Sequence, residues 1–264
     1  MSTPRPFKQV SISPQYGVGH VIQWDLDPVF NDPGPYVFSV DIAEDPEFRF
    51  VIRSITANDN FFAIDSTRSA QAFNLKLMYR VKLVSKKASY FSPVLYLYSN
   101  ETDRHKYLQA AEIIRKEGLL SVKSGYPCWI LKRRAFGQIE KKNVDPITGI
   151  PRADNTQDFG TGVNGGYYPP LKSLYRRDSY NQEVKLEESG LGVTEKAVMG
   201  ASLLSFPLLS VHDVLVDKDD LRYHVSNVVQ RLYPGTNIVM KQNCSVNLIA
   251  STDTVYRIEL PKLQ

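Results

Sequence analysis

The residues of this chain whose types could do chemistry are few and scattered. Gly160, Gly162 and Gly165 spell a GxGxxG run, the pattern that cradles a dinucleotide pyrophosphate where a strand turns into a helix. Here Tyr167-Tyr168-Pro169-Pro170 follows in place of a helix start, and no Lys-Ser or Lys-Thr comes after the glycines to form a phosphate loop. Nucleotide binding is therefore not expected. His20, His105, His212 and His224 lie far apart and none has a metal-ligand spacing such as HExxH. Asp217, Asp219 and Asp220 cluster between two strand-like runs and read as a solvated turn. The run Lys132-Arg133-Arg134 is short and reads as a solvated strand end, since a nucleic-acid footprint needs a clustered basic face. Cys128 and Cys244 share no CxxC spacing, so they organise no disulfide framework and read as small buried hydrophobes. Nothing here nominates a nucleophile, a general base, a metal or a cofactor. The expectation is a protein that is not an enzyme.

The elements that carry these residues are mostly strands. Hydrophobic residues make up 42% of the 264 and charged residues 23%, which excludes a disordered chain. The 15 Tyr and 12 Phe favour pleated sheets and contact surfaces. The net charge of +4 does not by itself call for nucleic acid or an anionic membrane. The opening Met1-Ser2-Thr3-Pro4-Arg5-Pro6 is polar, and no run approaches the roughly 18 apolar residues that span a bilayer, so neither export nor membrane insertion is expected. Residues 10–12, 20–26, 36–42, 48–52 and 73–83 alternate apolar and polar side chains at least in part, separated by Pro14-Gln15-Tyr16-Gly17 and Asn31-Asp32-Pro33-Gly34-Pro35. Even spacing of short strands predicts a sandwich over residues 1–99. Trp24 in its second strand and Tyr79-Arg80-Val81-Lys82-Leu83 late in it resemble a fibronectin type III or immunoglobulin-like module, which makes Trp24 a core residue. Residues 100–125 then read as a linking helix capped by Thr102 or Asp103, with Leu108, Ala111 and Ile114 on one face and Gly118 at its end.

Residues 126–170 are of another kind. Tyr126-Pro127-Cys128-Trp129-Ile130-Leu131 runs into the basic triplet, Asp145-Pro146-Ile147-Thr148-Gly149 forms a turn, and Gly160-Thr161-Gly162-Val163-Asn164-Gly165-Gly166-Tyr167-Tyr168 opens routes closed to bulkier residues. From the residues alone this is an irregular knuckle. The same segment resembles a knuckle of tailed-bacteriophage virion proteins, in which a basic triplet, two CxxC pairs around an Asp-Pro-x-Thr-Gly turn and a glycine-tyrosine run follow in that order. There four thiolates hold zinc. Glu140, Asn143, Asn155 and Asp158 stand in their places here, so no zinc is expected, and hydrogen bonds from side chain to backbone are expected to hold the knuckle. The resemblance implies a virion protein of the neck, at the connector or collar between head and tail.

The last third returns to strand patterns at 211–216, 223–229, 245–249 and 255–260, which with the knuckle make residues 126–264 a second β region, a sandwich or a small barrel. Residues 171–205 read as a long loop reaching a neighbouring subunit. Tyr167, Tyr168, Tyr175, Arg176, Arg177 and Tyr180 are residue types enriched at interface centres and are the candidate contacts of a homo-oligomeric ring. The partners expected are further copies of the chain and other neck, portal or tail proteins, with no membrane and no specific nucleic acid. A carbohydrate-binding or adhesion module and a nucleic-acid-contacting assembly protein are the alternatives.

Overall fold

The computed structural model describes residues 6–15, 19–27, 30, 32, 35–58, 60–66, 77–97, 101–134, 157–189 and 192–263, without the side chains of 101 and 178–198. The fold is mainly β and separates into two compact units.

In the first unit, β1 (Phe7–Gln15), β2 (Gly19–Leu26) and β5 (Phe62–Asp65) form one antiparallel sheet in the order β1-β2-β5. The second sheet runs β4 (Val51–Asn58), β3 (Val37–Ala43), β6 (Met78–Val84), β7 (Ser89–Phe91), with β8 (Leu95–Tyr96) also paired to β6. Period-two alternation gives each strand one apolar face, and these faces meet in a shared core. Ile22, Trp24 and Leu26 of β2 lie against Phe38, Val40 and Ile42 of β3 and Tyr79, Val81 and Leu83 of β6. The fourth strand pairs with the third, whereas the constant-immunoglobulin layout would place it beside the fifth. Trp24 is buried with its ring 5.3 Å from that of Phe38, as expected of a core residue. The strand expected at 48–52 starts later. Asp45 accepts hydrogen bonds from the backbone N–H of Glu47, Arg49 and Phe50, which draws residues 45–50 into a turn with Phe48 at φ 53° and delays β4 to Val51. Residues 73–76 lie outside the described residues.

The helix α1 spans Glu101–Ser124. Gly118 does not end it. That glycine is buried inside the helix, on a stripe with Tyr107, Ala110, Ile114 and Ser121. The chain leaves the helix at Gly125, whose N–H reaches the Ser121 carbonyl at 2.7 Å, and a Cβ there would meet the same oxygen at 2.4 Å. Tyr107, Ala110 and Ile114 belong to the first unit and pack with Leu97, Tyr233, Ile238 and Met240.

The second unit is a closed barrel of six strands in the order β10-β11-β14-β13-β12-β9, which settles the open alternative of a sandwich or a barrel. Its strands are β9 (Tyr126–Leu131), β10 (Leu171–Ser189), β11 (Gly192–Leu204), β12 (Val214–Val216), β13 (Arg222–Leu232) and β14 (Val239–Leu248). Alternate residues fill the interior: Cys128 and Ile130, Met199, Ala201 and Leu203, Tyr223 and Val225, Cys244 and Val246. Residues 171–205 are thus not a loop. They form the β10–β11 hairpin, whose first strand joins the barrel through Leu171–Tyr175 and whose second joins it through Val198–Leu204. The strand expected at 255–260 is also absent. Thr254–Arg257 is a 3₁₀ turn, capped by the Asp253 carboxylate on the Val255 N–H, and Arg222 holds the Val255 and Ile258 carbonyls against the barrel.

Burial governs the two free cysteines. It pushes the Cys244 thiol up to about 12 and the Cys128 thiol further, so neither is a thiolate at neutral pH. A thiol reagent at pH 8 is expected to label neither in the native protein and both after denaturation. Rapid native labelling would show that the barrel interior opens.

Candidate contact site: the knuckle and the barrel hairpin

The basic triplet at the end of β9 is engaged within the fold, with Lys132 buried and Arg133 and Arg134 half-buried. The Lys132 ammonium donates to the Leu208 carbonyl at 2.9 Å and the Ser210 hydroxyl at 2.7 Å, 3.2 Å from the Asp213 carboxylate. Asp213 is also fully buried. It accepts from the backbone N–H of Arg133 at 2.9 Å and of Ser210 at 2.7 Å. Burial pushes its pKa up, and the Lys132 ammonium with these two N–H groups pulls the other way. Arg133 donates to the Thr161 carbonyl, and Arg134 donates to the Tyr167 carbonyl with its guanidinium 4.4 Å from the Tyr168 ring centre. The triplet is a clasp that fixes the glycine run to the barrel.

The glycine run itself closes through the backbone. Arg133 bridges Tyr167, the Arg134 N–H donates to the Gly166 carbonyl, and the Tyr168 N–H donates to the Lys132 carbonyl. Gly166 sits at φ 58°, where a Cβ would meet the Asp158 carbonyl oxygen at 2.6 Å. Asp158 is fully buried; its carboxylate accepts from the Gly160 N–H and its carbonyl from Thr161. These are side-chain and backbone hydrogen bonds of the kind expected to hold the knuckle at Asp158; Glu140, Asn143 and Asn155 lie outside the described residues. Among the described residues no three His, Cys, Asp or Glu side chains converge on a possible metal position.

The five candidate contact residues whose side chains are described do not form one surface. Tyr167 is buried on the barrel flank, its ring 6.5 Å from that of Phe159, and burial raises its hydroxyl pKa to about 12. Tyr175 is buried inside the barrel. Tyr168 is half-buried beneath Arg134. Arg176 pairs with Glu117 of α1, which Lys241 also approaches at 3.6 Å. Arg177 is part-exposed, donates to the Tyr175 hydroxyl at 3.4 Å, lies 5.4 Å from the Tyr126 ring and comes within 3.9 Å of Asp217. The side chain of Tyr180 lies outside the described residues.

The acidic cluster is a turn, but one of its members is not solvated. Asp217 is buried and accepts from the N–H groups of Asp219 and Leu221 and, at 3.4 Å, from the Tyr223 hydroxyl. Burial and this carboxylate push the Tyr223 hydroxyl up to about 12. Asp213, Glu117 and Gln242 escaped the sequence reading. Gln242 is fully buried and ties the Leu204 and Pro207 carbonyls to the Leu209 N–H. Only a polar residue at an inward strand position hinted at it.

This arrangement offers structural chemistry: ion pairs, stacked cations and a long hairpin. Among the described residues no helix is long and apolar enough to cross a membrane. Compared with known families and with curated proteins, the chain matches no family model and no curated sequence.

Proposed function

We propose that this chain is a structural protein of a tailed bacteriophage particle, forming part of the neck between head and tail as a homo-oligomeric ring. The observation that carries the ring is the β10–β11 hairpin. Its segments Val184–Ser189 and Gly192–Ala197 pair with each other and, among the described residues, with no third strand. A two-stranded ribbon is marginal in water, so it gains its stability from a partner. A ring needs such a head-to-tail contact, in which one surface meets a different surface on the next copy. The resemblance of the knuckle supports the placement at the neck, and the clasp of Lys132, Arg133 and Arg134 is suited to a rigid subunit rather than to catalysis.

The test is twofold. Mass photometry of the purified chain should give a closed oligomer, and cryo-electron microscopy of virions carrying it should place it at the head-to-tail junction. A chain that is absent from purified particles would end the virion reading.

A further inference from the structure

We infer that the β10–β11 ribbon of one copy docks on the outer face of the five-stranded sheet in a second copy; this rests on the ring reading and names its contact. The receiving face follows from the strand register. Tyr79, Val81 and Leu83 of β6 point into the core, so Met78, Arg80 and Lys82 point out. Cross-strand partners of those residues share the face: Asp41 beside Arg80, Phe91 beside Lys82 and Tyr96 beside Met78. Ser54 joins them through its hydrogen bond to Asp41, and Ile52 follows at the bulge between the pairs Ile42↔Arg53 and Ala43↔Val51. The apolar members are open to solvent, Ile52 at 54%, Phe91 at 48% and Tyr96 at 48% exposure.

The face is also preorganised, and its charged members, Arg80 and Lys82 against Asp41, leave a net charge of +1. The Arg80 guanidinium lies between the Phe48 and Phe91 rings, 4.2 Å from each, and is held by Asp41 at 3.3 Å. Lys82 stands 6.0 Å from the Phe91 ring. Rigid aromatics beside stacked cations are what a partner can bind with little ordering cost.

The ribbon complements this face in both pattern and sign. By register, Val184↔Ala197, Leu186↔Glu195 and Glu188↔Val193 occupy one side of it, four apolar positions with two carboxylates. Across residues 178–197, five carboxylates against two lysines give a net charge of −3, which leaves +7 on the rest of a chain of net charge +4. The apolar positions suit Ile52, Phe91 and Tyr96, and the carboxylates suit Lys82 and Arg80. A second copy is therefore the occupant, in a contact of two unlike surfaces that can propagate around a ring.

The experiment is a charge swap in the full chain, read by mass photometry across a dilution series. Lys82→Glu alone and Glu188→Lys with Glu195→Lys alone should each weaken self-association by about tenfold or more, with circular dichroism unchanged. Combining the three substitutions should restore it. If the wild-type chain associates and neither set weakens it, the ribbon-on-sheet contact is wrong while the ring stands. If both sets weaken association and the combination restores nothing, the two surfaces do not meet each other. A wild-type chain that stays monomeric throughout the series sinks the ring reading and this contact with it.

Discussion

Replacing Lys132 with methionine is expected to lower the stability of the barrel by about 3–5 kcal/mol, the cost of stranding a buried charge. The Asp213 carboxylate is fully buried, and among the described residues the Lys132 ammonium at 3.2 Å is the cation in the hydrogen-bonded set around it. The two tryptophans make the measurement clean. Trp24 lies in the sandwich and Trp129 in the barrel, so in a Trp24→Phe background denaturant unfolding followed by fluorescence reports the barrel alone. Adding Asp213→Asn should return about 1 kcal/mol or more, because the substitution removes the stranded charge that Lys132→Met leaves behind. It does not return everything. An amide can still accept from the Arg133 N–H, but its NH2 group cannot accept from Ser210. A loss below about 1 kcal/mol for the single substitution would show that the pair is not desolvated as the geometry indicates.

The pH dependence has a definite sign. Because burial raises the pKa of Asp213, the folded chain holds that proton to higher pH than the unfolded chain does. The native state then binds more protons in the window above the ordinary carboxyl range, and this group makes stability fall as pH rises through it. Lys132 opposes that effect. Without it the window moves up, so the deficit of the Lys132→Met protein should shrink as the pH is lowered toward the ordinary carboxyl range. A deficit that grew on acidification would contradict this assignment of the charges.

How much of this was legible in the sequence depended on whether a residue's partner lay nearby. β2 and β3 were readable because apolar side chains recur at every second position, Ile22, Trp24 and Leu26 and then Phe38, Val40 and Ile42, which line the shared core, although some of the positions between them are buried too. The closed barrel was legible only as an alternative, since strand patterns do not say which edges meet. The β10–β11 hairpin was read as a loop for a physical reason. Among the described residues its outer segments pair only with each other, and their charged and small residues do not alternate in sequence as those of a half-buried strand do. Phe48-Arg49-Phe50 misled in the opposite sense, being apolar at strand spacing yet drawn into a turn by one carboxylate.

The clasp was illegible because its meaning is non-local. Lys132, Arg133 and Arg134 carry the composition of a solvated end, and charge runs usually are one. What reverses the reading is Asp213, 81 positions later, inside a segment that looked like a plain strand. Its N–H acceptor geometry shortens β12 to Val214–Val216 and brings the carboxylate beneath the triplet. Interface composition misled in a related way. Tyrosine is favoured both at contact centres and in the cores of aromatic-rich barrels, and Tyr167 and Tyr175 pack within their own unit.

Tyr175 separates these two uses of an aromatic ring by its paired substitutions. Tyr175→Ala empties a fully enclosed position between Cys128, Leu203 and Tyr223 and should cost the barrel about 3–5 kcal/mol, as large-to-small changes of aromatic core residues do. Tyr175→Phe keeps the ring and loses only the hydroxyl that accepts from Arg177 at 3.4 Å, a long hydrogen bond, so a loss of about 0.5–1 kcal/mol is expected. Self-association of the phenylalanine protein should match the wild type, since the ring does not reach the surface. Tyr168→Ala supplies the contrast, because that ring is half-buried beneath Arg134 and its removal costs little core. If Tyr175→Ala left the Trp129-monitored unfolding unchanged and yet abolished self-association, the residue would be acting at a subunit contact, and its place in the barrel interior would not be what gives it weight.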